Sequence, residues 1–200
     1  MGIAERKQRQ KDEVRASILS AAWEVVQNEG WQALSIRKIA DAIEYSAPVI
    51  YDHFANKEAI LHEFTRRGFQ LLSEELKKAR DRFANPEQQI EALGYAYWKF
   101  AFTHKEYYQL MYGLGMPGCD TVKQMPELAA FTELMLEPIR KLIASGKNTS
   151  ADPYLKLHTL WSTLHGLISI NKMGNENERD ELNAMVLKDF MTGFISGIKG

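Results

Sequence analysis

Apolar residues recur at every third or fourth position along nearly the whole chain. No segment alternates apolar and polar residues with period two over a useful length. A chain with this pattern carries stripes for helix packing and no half-buried strands, so the expected fold class is all-α. The punctuation divides it into about nine helices. Val14, Ile18, Ala21, Ala22 and Val25 share one stripe, and Gly30 follows as a stop. Ser35 can cap a short helix carrying Ile36, Ile39, Ala40 and Ile43, and Ser46 another over Ala47 to His53, with Pro48 tolerated in its first turn. Asn56 caps a long helix of about Lys57–Phe83, with Glu58 near its positive end. Asn85-Pro86 starts the next, and a short helix spans about Lys105–Tyr112. Gly113, Gly115, Pro117 and Gly118 mark a loop. A helix of about Val122–Ala144 follows, where Pro138 predicts a kink or break. After the polar loop Gly146–Asp152, two last helices cover about 153–173 and 178–198.

Composition narrows the class. The 200 residues are 45% hydrophobic and 26% charged, which excludes disordered and collagen-like chains. The single cysteine, Cys119, cannot form an intramolecular disulfide, which fits a reducing compartment. No Lys, Arg or His adjoins it to make a redox thiol. No apolar run is long enough to span a bilayer, and the N-terminus lacks a signal peptide's apolar stretch, so a cytoplasmic protein with no membrane partner is expected. Net charge is −1, but charge is unevenly placed. Arg6, Lys7, Arg9 and Lys11 against Glu5 make a short basic arm, expected to be mobile.

The first 55 or so residues hold three helices in the order long, short, short. The last two are joined by Glu44-Tyr45, too brief for anything but a sharp turn. This is helix-turn-helix spacing. A reading helix must be short and exposed to enter a major groove about 12 Å wide. Ile39, Ala40, Ile43, Ile50 and Phe54 are the apolar residues that would fix its crossing angle.

Ser35-Ile36-Arg37-Lys38-Ile39-Ala40, then Ser46-Ala47-Pro48-Val49-Ile50-Tyr51-Asp52-His53-Phe54, then Asn56-Lys57-Glu58-Ala59-Ile60 resembles the signature of TetR-type transcriptional regulators. Leu160-Trp161-Ser162-Thr163-Leu164-His165-Gly166 is similar to the Trp-x-x-x-His-Gly element of one C-terminal subgroup. The resemblance implies a helix-turn-helix domain with the basic arm over 1–56 and a helical bundle for ligand binding and dimerisation over 57–200. It implies phosphate contacts from Ser35, Arg37, Tyr51, His53 and Lys57. Ser46, Ala47, Pro48 and Val49 would face the groove, and Lys38 would lie on the DNA side with Glu24 and Glu29 turned away. The chain departs from the pattern in two places. Glu44 stands where the turn usually has Gly, and Ala47-Pro48-Val49 replaces a more polar reading surface, leaving apolar contact with thymine methyls.

Eight of the chain's 21 aromatic residues fall between Tyr95 and Tyr112. Helix spacing allows either a packed core or an apolar pocket. For the pocket the candidates are Trp98, Phe102, Tyr107, Met111, Phe131, Met135, Trp161 and His165, with a small hydrophobic or aromatic effector. Met116 and Met125 add adaptable surface, and Gly166 would permit close helix approach. His158 and His165 are seven residues apart, not the four of a helical metal pair, so no metal and no other cofactor is expected. No Ser–His–Asp order, phosphate loop or carboxylate cluster points to an enzyme. The reading is a ligand-responsive homodimeric regulator on a palindromic double-stranded operator, a repressor, dimerised through the last two helices. The alternative is an interaction or ligand-binding protein of the same fold with degenerate DNA readout.

Overall fold

The structure, a computed structural model, describes residues 2–113, 125–147, 149–172 and 176–200, and of residues 172 and 176–180 the backbone only. Among the described residues there are nine α-helices and no strand. They are α1 (Ile3–Glu29), α2 (Ile36–Ala42), α3 (Ala47–Tyr51), α4 (Lys57–Arg80), α5 (Pro86–Thr103), α6 (Lys105–Tyr112), α7 (Pro126–Ser145), α8 (Pro153–Lys172) and α9 (Glu176–Lys199). None is long and apolar enough to cross a membrane. Met116, Cys119 and the expected start of α7 at Val122 lie outside the described residues.

Four of the nine helix starts follow from the residue in front of them. The Ser35 hydroxyl accepts from the Lys38 N–H at 3.2 Å, and the Asn56 carbonyl from the Ala59 N–H at 2.8 Å. Asn85 and Asp152 accept from the N–H of Glu87 and Tyr154, both at 2.8 Å. Each satisfies a donor that the first helical turn leaves orphaned. Gly30, at φ 80°, ends α1 in a conformation costly for any residue with a Cβ.

Four expectations need correction. The basic arm is not mobile coil but the first turns of α1. There the Gly2 N–H donates to the Glu5 carboxylate at 3.0 Å, and Gln8 donates to Asp12 one turn on at 2.9 Å. Ser46 occupies the cap position of α3, yet its side chain makes no capping hydrogen bond. Of the kink or break expected at Pro138, the break is absent: α7 runs on through it. Pro138 is buried beside Ile139 and Leu142, and burial of that apolar face outweighs the one backbone bond the ring removes. A Cβ on Gly166 would meet nothing within 4 Å, so no helix among the described residues crosses closely there.

The chain forms two compact units. One comprises Met1–Gly68 and Glu106–Pro117, the other Phe69–Lys105 and Gly118–Gly200. In the first, α1, α2 and α3 close around Ile18, Ala22, Val26, Ile39, Ile50, Phe54, Ile60 and Phe64. A 3-10 turn, Trp31–Ala33, follows α1. In the second, α5, α7, α8 and α9 pack around Leu93, Tyr97, Phe100, Met135, Ile139, Leu160, Leu164 and Met191.

Candidate nucleic-acid interface

α2 and α3 are joined by a turn built on one strained residue. Glu44 has φ +57°, the only positive φ at a non-glycine among the described residues. The strain completes a Schellman closure: the Tyr45 N–H donates to the Ala40 carbonyl at 3.0 Å and the Glu44 N–H to that of Asp41 at 3.3 Å. The sequence departure at Glu44 therefore changes the residue and keeps the geometry.

α3 is only five residues long, below what an isolated helix sustains in water, so tertiary contacts must hold it. Ile50 is fully buried beneath it, and Phe54 follows into the same core. Arg15 of α1 then clamps its far end. The guanidinium lies 4.2 Å over the Phe54 ring, donates to the His53 carbonyl at 3.5 Å and reaches the Glu63 carboxylate of α4 at 3.4 Å. Glu63 also takes hydrogen bonds from Arg66 at 2.9 Å and Arg67 at 3.1 Å. Burial pushes the Glu63 carboxyl up, but the hydrogen bonds and charges of Arg66 and Arg67 outweigh it and hold the group below its ordinary range. The clamp is thus ionised at neutral pH.

These contacts leave an outward surface of mixed chemistry. Arg37 is 92% exposed and barely restrained by Asp41 at 3.8 Å. Ser46 and Pro48 are exposed, Ala47 and Val49 half-exposed, and Tyr51 is 53% exposed. Lys57 is half-buried at the start of α4, in no ion pair among the described residues. His53 is half-buried with its Nδ1 enclosed and unpartnered, and Ser35 is half-buried in its cap. Lys38 differs from expectation. Its ammonium is bound to Glu29 at 2.6 Å, so Glu29 is not turned away but neutralises the lysine directly. Nine residues and a turn separate the two, and no local spacing rule registers such a pair. Tyr45, 47% exposed next to Ser46, was not among the residues singled out from the sequence. Its signal was position alone, in the turn just before a short exposed helix.

The eight pocket candidates divide between the units. Tyr107 and Met111 are core of the first. Tyr107 stacks on Trp23 with ring centroids 4.4 Å apart, and burial pushes its phenol above the ordinary value. The Met111 sulfur sits where a Cβ on Gly68 would stand. The other six lie in the second unit. There Trp161 Nε1 donates to the hydroxyl of fully buried Tyr97 at 3.0 Å, Phe131 lies 6.3 Å from the Tyr97 ring and His165 5.9 Å from that of Trp161. Met135 is fully buried, and Trp98 packs on half-exposed Phe102 at 4.9 Å. A surface cleft of about 440 Å³ runs along α4 and α5, and another of about 620 Å³ along α5 and α9; neither is lined by any of the eight.

The model for bacterial regulatory proteins of the tetR family matches residues 18–64, and that for the tetracyclin repressor-like C-terminal domain matches residues 90–188. The HTH-type transcriptional activator FasR of Mycolicibacterium smegmatis is 28% identical over 102 residues, 51% of this chain and 47% of FasR, so the match spans about half of that relative. The uncharacterized HTH-type transcriptional regulator Rv0681 of Mycobacterium tuberculosis is 23% identical over 166 residues, 83% of this chain and 73% of its own. Among solved structures, a protein of unknown function from Rhodococcus has the same fold at TM-score 0.77 and 23% identity, covering 93% of this chain and 95% of its own. The TetR family regulator PfmR of Thermus thermophilus has it at TM-score 0.65 and 19% identity, covering 90% and 97%. The two family models meet the spaced motif and the all-helical architecture along most of the sequence, and the family and the relatives named for a function are transcriptional regulators rather than enzymes. The chain belongs to the TetR family of DNA-binding transcriptional regulators.

Proposed function

We propose that the protein is a homodimeric, ligand-responsive repressor, released from a palindromic operator by a small hydrophobic or aromatic effector. The observation that carries the reading is the helix-turn-helix surface: a five-residue α3 held by Ile50, Phe54 and Arg15, with Arg37, Tyr51 and Lys57 around it. In this reading Ser35, Arg37, Lys38, Tyr51, His53 and Lys57 meet phosphates, and Ser46, Ala47, Pro48 and Val49, with Tyr45 added, face base edges. Phosphate contacts set register, and only the base-facing group carries sequence information.

The domain division follows the same logic: residues 1–56 read DNA, and 57–200 bind effector and dimerise. Dimerisation through α8 and α9 is supported by their uncovered apolar side chains, Leu155 at 63% and Met185 at 63% exposed, with Ile170 and Leu182 beside them in exposure. A symmetric pair doubles the operator contacts that one short reader makes. In this reading the effector binds at Phe131, Trp161 and His165 of the pocket set, a choice supported by the hydrogen bond from the Trp161 indole to the Tyr97 hydroxyl among apolar rings. An effector preferring one arrangement of these helices shifts the population and so the spacing of the two readers. The subgroup resemblance at Trp161-Ser162-Thr163-Leu164-His165-Gly166 falls on this site.

Tyr51→Ala and Lys57→Ala should each weaken binding to all duplexes alike and reduce the salt slope by about 1. Unchanged affinity and slope in a fluorescence-anisotropy titration would remove both from the phosphate set. Because the relative FasR is named an activator, a reporter under the operator separates the two signs: the repressor reading requires transcription to rise when effector is added or the gene is deleted.

A further inference from the structure

The surface offered to the major groove is unusual in what it lacks. Residues 45–51, Tyr45-Ser46-Ala47-Pro48-Val49-Ile50-Tyr51, contain no Arg, Lys, Asn, Gln, Asp or Glu. Guanine is singled out by forked donors on its O6 and N7, adenine by a carboxamide on N6 and N7, and cytosine by a carboxylate on N4. None of these partners is present in the segment. Its polar side-chain atoms are three hydroxyls, and a hydroxyl both donates and accepts, so it discriminates weakly among bases. One of them, on Ser46, is uncommitted to the helix cap.

What the segment does offer is apolar and fixed. Pro48 is exposed, with its ring locked by its own backbone and no rotamers to lose on contact. Val49 is half-exposed, stiff at χ1, and anchored by its N–H on the Ser46 carbonyl at 3.0 Å. Beneath both, Ile50 is fully buried, so the backbone that carries them is seated on the core. The 5-methyl of thymine is the apolar feature of the major-groove edge that distinguishes one base pair from the others.

We propose that this regulator selects its operator through thymine methyl groups, read by Pro48 and Val49, with Ser46 as a permissive hydrogen-bonding neighbour. The proposal rests on α3 being the base-reading element and adds the chemical feature that it reads. A guanine at the same position loses the methyl contact and gains no donor in exchange. The flanking carboxylates, Glu44 and the exposed Asp52, hold no donor for it either.

The test starts from duplexes selected by the full-length protein out of a random-sequence pool. Thymines of the enriched half-site are then replaced one at a time by deoxyuridine, which deletes the methyl and preserves pairing. At one or two positions per half-site the replacement should lower affinity about fourfold, the equivalent of one buried methyl-sized group, and about sixteenfold when made in both half-sites. In Val49→Ala or Pro48→Ala the penalty at the matching position should disappear while the salt slope stays that of the parent. Val49→Ala leaves the proline-led first turn intact, so it keeps the test open if Pro48→Ala unfolds α3. Thymines that are all replaceable without loss would overturn the proposal. So would a methyl penalty that persists undiminished in both variants, or enriched half-sites fixed by G·C pairs alone. A pool that enriches no sequence at all would sink the DNA-reading assignment of α3 itself, an outcome distinct from enrichment without a methyl penalty.

Discussion

Glu44 shows how a single residue can be wrong for its backbone and still be tolerated. Its left-handed conformation costs about 1 kcal/mol that glycine would not incur, and the Schellman bonds of Tyr45 and Glu44 hold it there. Glu44→Gly should therefore raise the thermal midpoint by about 2–4 °C, read by circular dichroism. A lower midpoint would mean that the glutamate side chain contributes more than its strain removes. Lys38 carries a second residue-scale expectation. With Glu29 bound to it at 2.6 Å, part of its charge is spent inside the protein. Glu29→Gln should tighten binding at low salt and steepen the salt dependence by about 1, provided the freed ammonium finds a phosphate. A salt titration with parallel slopes for parent and variant would show that it does not.

At the scale of elements, the starts of α2, α4, α5 and α8 were legible because a cap acts over three residues and writes itself into the sequence as Ser35, Asn56, Asn85 and Asp152. What was not legible is non-local. The aromatic run from Tyr95 to Tyr112 looks continuous in sequence, yet Tyr107 stacks on Trp23 of α1 while Tyr97 bonds Trp161 of α8, and residue density carries no record of which core a ring joins. Pro138 gives no break for a similar reason: a helix interior rejects proline unless burial compensates, and burial belongs to tertiary structure. The Arg15 clamp is of the same kind, since a lone arginine on a helical stripe reads as solvated charge. It ties α1 to the end of α3 and to α4. Arg15→Ala should destabilise the chain by about 1 kcal/mol through the lost ring contact alone. Urea unfolding at neutral pH checks this, and an unchanged midpoint would mark the contact as incidental.

At the scale of the whole molecule, α8 and α9 bury Leu160, Leu164, Leu187 and Met191 inward and leave Leu155, Ile170, Leu182 and Met185 uncovered. The sequence displayed two apolar-rich helices but not which side of each would be consumed by its own unit, because both sides carry apolar residues. The uncovered set is what a second copy would bury. Leu155→Glu with Met185→Glu should shift the proposed dimer to monomer in size-exclusion chromatography with light scattering, and operator affinity should fall by more than the loss of any one phosphate contact. A parent protein that is already monomeric at micromolar concentration would refute the dimer.

The idle hydroxyl of Ser46 has a consequence over longer times. The cap position of α3 carries no capping bond, so a change there alters what the groove meets without withdrawing support from the helix. Most positions that touch a ligand also hold up their own element, and lineages cross such positions slowly. Here a duplicated copy of the gene could acquire a new operator by changes at a site that folding does not police, and two regulators could part company in target while remaining superimposable in structure.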